Sequence, residues 1–290
     1  MADKILLSEL SEPNQQWWIH TEPTHRWVRV KVGGETIADS RHVLLVIEAG
    51  RLPVYYFPKS DVRLDLLRAS DHHTRSPHKG KASYWDIKVG DRIIKNAAWG
   101  YPDPDPESKA LKGYLTFVWD KVDAWYEEKE QIFKHPRDPY SRVDAIPSSR
   151  HVRVVLNGQI VADSTRPVIV FETGLTPRYY LPKEDVHTEF LEPSDTVSRC
   201  PYKGVASYWT ANVGGKKYKD IVWSYRKPLP EIPKISGLFS FYNESVDALY
   251  VDGEKWKLSE RDRLPYRKIP TDYDGDDGAE QSCGCYVPGK

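Results

Sequence analysis

The chain has 290 residues, with 42 Lys plus Arg against 42 Asp plus Glu, so its formal net charge is zero. No net field draws it toward nucleic acid or an anionic membrane, and no apolar run approaches the ~20 residues of a membrane span. Three cysteines, Cys200, Cys283 and Cys285, make no disulfide framework, and residues 1–10 lack the basic start and apolar run of a signal peptide, so a reducing cytosol is the expected compartment.

Taken in chain order, residues 1–25 form an aromatic-bearing lead. Val28, Val30 and Val32 then alternate with Arg29 and Lys31, the period of a half-buried strand. Gly33-Gly34 turns the chain into a second strand at 36–38. An apolar run at 43–47 has strand length, and 61–67 predicts one or two helical turns capped by Ser60 or Asp61. Residues 83–89, Gly90-Asp91 and 92–99 read as a hairpin. Residues 136–149, rich in Pro, Ser and Asp, read as a linker.

Beyond that linker the chain repeats itself. Residues 26–126 align on 150–250 without a gap, and about 43 of the 101 paired positions are identical. The second copy settles an ambiguity at 120–133, which alone passes for an amphipathic helix. Its counterpart carries Asp252-Gly253 between apolar segments, a hairpin signal, so strands are expected in both copies. Two homologous, mostly β domains follow, 26–135 and 150–258, tent- or barrel-like with a few short helices and related by a pseudo-two-fold. A polar tail occupies 259–290.

Certain motifs recur together: Ala-Asp-Ser at 38–40 and 162–164, Tyr-Tyr-x-Pro-Lys at 55–59 and 179–183, Cys-Pro-Tyr-Lys-Gly-x-Ala-Ser-Tyr-Trp at 200–209, and Trp-x-Tyr at 99–101 and 223–225. On these the chain resembles the family designated domain of unknown function 427, also tagged nucleotidyltransferase-like. The resemblance implies a compact, mostly β domain similar to the tent-like ligand-binding domain of cereblon. It implies no settled activity. The residues give the nucleotidyltransferase tag no support, with neither a Gly-Ser turn followed by paired aspartates nor a Gly-rich loop ending in Lys-Ser/Thr.

Cys200 lies between Arg199 and Lys203, two cations able to favour its thiolate, so it reads as a nucleophile or as a small buried thiol packing a turn. Ser76 stands there in the first copy. Lys79-Gly80 and Lys203-Gly204 read either as a cation set beside a flexible turn, fit for a carboxylate or phosphate, or as a hairpin entry with a solvated lysine. Glu48 and Glu172 close apolar strands and read as salt-bridge partners or as a general base. Asp39 and Asp163 read as turn caps.

The ten tryptophans and eighteen tyrosines carry the remaining signal. Tyr56, Tyr84, Trp85 and Trp99 recur as Tyr180, Tyr208, Trp209 and Trp223, with Tyr225 repeating Tyr101. Neighbours in a strand face opposite sides, so only one ring of each Tyr-Tyr or Tyr-Trp pair enters a given core, and the other can line a second surface. Ordinary core packing is the rival reading. His72, His73 and His78 are replaced by Thr196, Val197 and Tyr202, and read as a surface group rather than a zinc site. Asp103-Pro-Asp105 reads as a loop, and Cys283-Gly284-Cys285 is too tight for a zinc half-site.

The expectation is a pocket for a small polar or aromatic metabolite, best developed in the second repeat. An enzymatic version takes Cys200 as nucleophile or proton donor, Lys203 as electrostatic anchor and Glu172 as base. Tyr180, Tyr202, Tyr208, Trp209, Trp223, Tyr225 and Arg199 would line that site, and Glu48, Tyr56, Lys79, Tyr84, Trp85 and Trp99 its counterpart. No metal or cofactor is called for, and no oligomer is required because the repeats can pair within the chain. The rival is a non-catalytic ligand-binding or protein-interaction module.

Overall fold

The computed structural model describes residues 18–48 and 51–257. They divide into two compact units meeting at Pro136/Arg137. The first contains β1 (Ile19–Pro23), β2 (Val28–Val32), β3 (Glu35–Ser40), β4 (Leu44–Glu48), β5 (Val54–Pro58), β6 (Leu67–Ser76), β7 (Gly80–Val89), β8 (Arg92–Gly100), β9 (Tyr114–Phe117), β10 (Ala124–Glu127) and β11 (Glu130–Ile132). The second repeats this order with β12 (Val143–Pro147), β13 (Val152–Leu156), β14 (Gln159–Ser164), β15 (Val168–Glu172), β16 (Arg178–Leu181), β17 (Leu191–Cys200), β18 (Gly204–Val213), β19 (Lys216–Ser224), β20 (Phe239–Phe241), β21 (Ala248–Val251) and β22 (Glu254–Lys255).

Each unit is an open two-sheet sandwich among the described residues, and no barrel closes. In the first, a seven-stranded sheet of order β1-β4-β5-β9-β8-β7-β6 faces a four-stranded sheet of order β11-β10-β2-β3. The second repeats both, as β12-β15-β16-β20-β19-β18-β17 and β14-β13-β21-β22. Pairing between the strands is antiparallel, as hairpin connections require. The segments read as lead and linker each supply an edge strand, β1 on β4 and β12 on β15. Strands at β10–β11 and β21–β22 confirm the hairpin reading of 120–133. Two 3-10 turns lie at Lys59–Asp61 and Leu64–Leu66, but neither Ser60 nor Asp61 caps them. Asp61 instead accepts a hydrogen bond from the Ser40 hydroxyl.

Period-two alternation gives the large sheet two buried faces. In the first unit Leu45, Ile47, Tyr55, Phe57, Leu115 and Phe117 point inward, against Val28, Val30 and Trp125 of the small sheet. Their neighbours Val46, Tyr56, Tyr84, Trp99 and Tyr101 point outward into a separate aromatic cluster, closed over by Leu111. The Tyr55-Tyr56 pair is thus split between two cores, as strand geometry demands. Tyr55 hydrogen-bonds Glu127 at 2.9 Å. Burial, reinforced by that carboxylate, pushes its phenol well above the ordinary value of 10, with Arg26 acting against it. Below about pH 10 the phenol is protonated in both folded and unfolded chains, and this contribution is intact. Above that, the unfolded chain ionises first and stability falls. Thermal denaturation followed from pH 8 to 11 should show that decline, and Tyr55→Phe should flatten it.

Candidate functional site

The outer face of the large sheet holds the site. Glu172 ends β15 in step with Val170, so both point outward, and Glu48 does the same with Val46 on β4. The lysine that meets each carboxylate comes from the turn between the two longest strands. Gly80 and Gly204 sit at φ +90° and +103°, in the left-handed region that favours glycine, with backbone of the 103–105 and 227–229 loops close over them. Those loops return a bond: the Asp105 and Leu229 amides donate to the Lys79 and Lys203 carbonyls at 3.2 and 3.1 Å. In the first unit the Ser76 hydroxyl also accepts the His78 and Lys79 amides. The turn is held from both sides, and its lysine is directed inward.

Lys203 donates to Glu172 Oε2 and Lys79 to Glu48 Oε2, with all four side chains at most 8% exposed. The solvated-lysine reading is therefore wrong, and the salt-bridge reading of the glutamates holds. A buried pair of this kind gives little net stability, since desolvating two charges offsets most of their attraction.

Around Lys203 and Glu172 stand Tyr180, Tyr208, Trp223, Tyr225 and Tyr242, with Arg178 beside them, bounding a pocket. Its cavity volume is about 50 Å³, above the ~10–15 Å³ that a single water needs. The first unit has the same pocket in reduced form, about 20 Å³, lined by Glu48, Lys79, Tyr56, Trp99 and Arg51 among others. The rings are fixed by one another. The Trp223 indole N–H donates to the Tyr180 hydroxyl at 3.1 Å and its ring lies 4.4 Å from Tyr242. In the first unit Trp99 meets Tyr56 edge-on at 5.5 Å and stacks on Tyr84 at 6.4 Å. Arg178 lies 5.8 and 5.7 Å over the rings of Trp223 and Tyr242 and forks onto Glu244 at 2.5 and 2.8 Å. Burial acts to raise the Glu244 pKa, but the hydrogen bonds and charge of Arg178 outweigh it and hold the carboxyl below its ordinary range.

Not every predicted residue reaches the pocket. Cys200 is buried in the hydrophobic core and is not among the pocket's walls. Arg199 precedes it on β17, points the other way and is exposed, while the Lys203 amine is turned to Glu172. Trp85 and Trp209 face the opposite side of the sheet from Tyr84 and Tyr208. Trp209 meets Phe239 at 4.8 Å, and Trp85 receives Lys59 at 5.7 Å. The Tyr202 hydroxyl accepts the Asp138 amide at 2.7 Å and so anchors the start of the former linker. His72 and His73 are strand residues on opposite faces, His72 against Tyr84 at 4.5 Å, rather than a surface loop. With His78 they form no group able to hold a metal among the described residues. Asp39 and Asp163 cap no turn: they sit on strands and accept from Trp27 and Arg153. The polar tail at 259–290, with Cys283 and Cys285, lies outside the described residues.

Arg178, Tyr242 and Arg51 escaped the sequence reading because it followed repeated residues, and these differ between copies, facing Val54, Val118 and Leu175. Alternation also reveals Thr116 and Ser240, cross-strand neighbours of Trp99 and Trp223 on the same outer face. Both are wholly buried, and neither hydroxyl has a hydrogen-bond partner among the described residues. Removing such a group relieves a desolvation cost. Thr116→Val and Ser240→Ala should leave stability unchanged or raise it by about 1 kcal/mol in denaturant melts.

A family model described as domain of unknown function (DUF427) matches residues 20–128 and again 144–252. The chain belongs to the DUF427 family. Each match begins within the edge strand, β1 or β12, that precedes the repeat, so a DUF427 domain here includes the outer strand of its large sheet. Both DUF427 domains carry the buried Lys–Glu pair. A comparison with curated proteins finds no match, and among the described residues no helix is long and apolar enough to cross a membrane.

Proposed function

We propose that this DUF427 protein binds a small molecule on the outer face of its large sheets, principally in the second unit. The observation that carries the reading is a buried Lys203–Glu172 pair opening onto a concave space walled by tyrosine and tryptophan rings. A buried ion pair is poor value as scaffold, whereas fixed polar groups among apolar walls suit recognition of one guest orientation. The wider space in the second unit favours that copy as the principal site. Cys200 takes no part; it fills the place where Ser76 ties the turn. A catalytic version rests on Glu172 as base and Lys203 as anchor, the two predicted catalytic groups that face the pocket.

The test is a fluorescence titration of the whole chain against a metabolite library containing neutral, cationic and anionic members, with mass spectrometry for products. Saturable binding without turnover supports the binding module, and product formation lost in Glu172→Gln supports the enzyme. Cys200→Ser should leave affinity unchanged and shift stability by no more than about 1 kcal/mol. A library with no binder at all overturns the proposal.

A further inference from the structure

The two pockets share a charge pattern that the repeat itself does not supply. The lining of the larger one contains the cations Lys203 and Arg178 and the single carboxylate Glu172. The lining of the smaller one contains Lys79 and Arg51 and the single carboxylate Glu48. The lysine and glutamate are common to both copies, but the arginine is not. Arg51 aligns with Leu175, and Arg178 aligns with Val54. Arg51, in the connection from β4 to β5, and Arg178, the first residue of β16, thus each bring a guanidinium to the pocket, three aligned positions apart. A scaffold needs no such substitution, because apolar side chains would fill the same volume without desolvating a guanidinium. The Arg51 side chain is only 10% exposed and lies 3.6 Å from Glu48; Arg178 is 22% exposed and is held in place by Glu244 and two rings.

We infer that each pocket is a carboxylate site, in which the arginine and the lysine receive the anionic end of the ligand and the rings pack its short apolar part. This deepens the small-molecule reading above and rests on it. Two cations converging on a cleft attract an anion, which joins the carboxylates they already hold, Glu244 on Arg178 and Glu172 on Lys203. A cavity of about 50 Å³ takes the acidic end of a molecule whose remainder projects from the mouth. The predominance of ring and aliphatic walls disfavours phosphate, a dianion that demands more donors than two side chains provide. The smaller first pocket, about 20 Å³, offers the same cations to the anionic end alone.

Isothermal titration of the full chain with isobutyrate, its neutral isostere isobutyramide, isobutylamine and inorganic phosphate tests this directly. Isobutyrate should bind saturably and at least about tenfold more tightly than the amide, with the amine and phosphate weaker still. Arg178→Leu should weaken the stronger site at least about tenfold, and Arg178→Lys should recover part of the loss. Arg51→Leu should affect only the weaker site. Amide or amine binding as tightly as isobutyrate overturns the inference, with no reliance on any variant. Phosphate binding in its place, or an Arg178→Leu chain with native circular dichroism and unchanged affinity, does so too. Failure of this inference leaves the small-molecule reading standing if neutral or cationic library members bind; if nothing binds, both fall.

Discussion

Replacing Lys203 with methionine should cost about 3–5 kcal/mol of stability, because it leaves the Glu172 carboxylate buried with its cation gone. The double replacement Lys203→Met with Glu172→Leu should recover most of that loss, or exceed the parent, since neither side chain then carries a charge into the interior. The two variants together separate structure from function. A pair kept for ligand recognition gives a double variant that is stable and does not bind. A pair kept for the fold gives a double variant at least as unstable as the single one. Denaturant melts of the three proteins, read for midpoint and for slope, decide between these outcomes.

The second large effect is at Trp223. Its ring is 6% exposed, meets Tyr180 edge-on at 6.1 Å, lies beside Tyr242 and supports Arg178. Trp223→Ala should cost about 3–5 kcal/mol, combining lost transfer energy with the cavity left behind. It should also free Arg178 from one of its two rings and so remove binding altogether. Trp223→Phe keeps the packing but deletes the indole N–H that donates to Tyr180. Its stability cost should be well below that of alanine, while affinity falls through the loosened Tyr180 wall. Equal losses of binding and stability in both variants would mean that the ring is core and nothing more.

Much of this architecture is legible in the sequence, because local rules and global structure agree there. Alternating valines, glycine turns and the internal repeat predict the strands, and the Tyr-Tyr and Tyr-Trp pairs predict rings on two faces. The helical look of 120–133 yields to its second copy, where Asp252 and Gly253 take φ +53° and +84°, the left-handed backbone of a hairpin turn. Burial of Lys79 and Lys203 is not legible: their partners lie 31 residues away, across a strand pairing that no local pattern reveals. Cys200 shows the converse error. Its flanking cations are close along the chain, but alternation turns Arg199 to solvent and the hairpin turn carries Lys203 to Glu172. Proximity in sequence is not proximity of side chains. Arg178 and Tyr242, which shape the larger pocket, vanish in a comparison of copies because they are where the copies part.

Crystals of the chain soaked with a fragment library provide the most direct measurement. Small acids should be found seated between Trp223, Tyr180 and Arg178, with an anionic oxygen within hydrogen-bond distance of Arg178 or Lys203. Fragments that bind only elsewhere, over rings that stay closed on one another above an intact Lys203–Glu172 pair, would contradict the account.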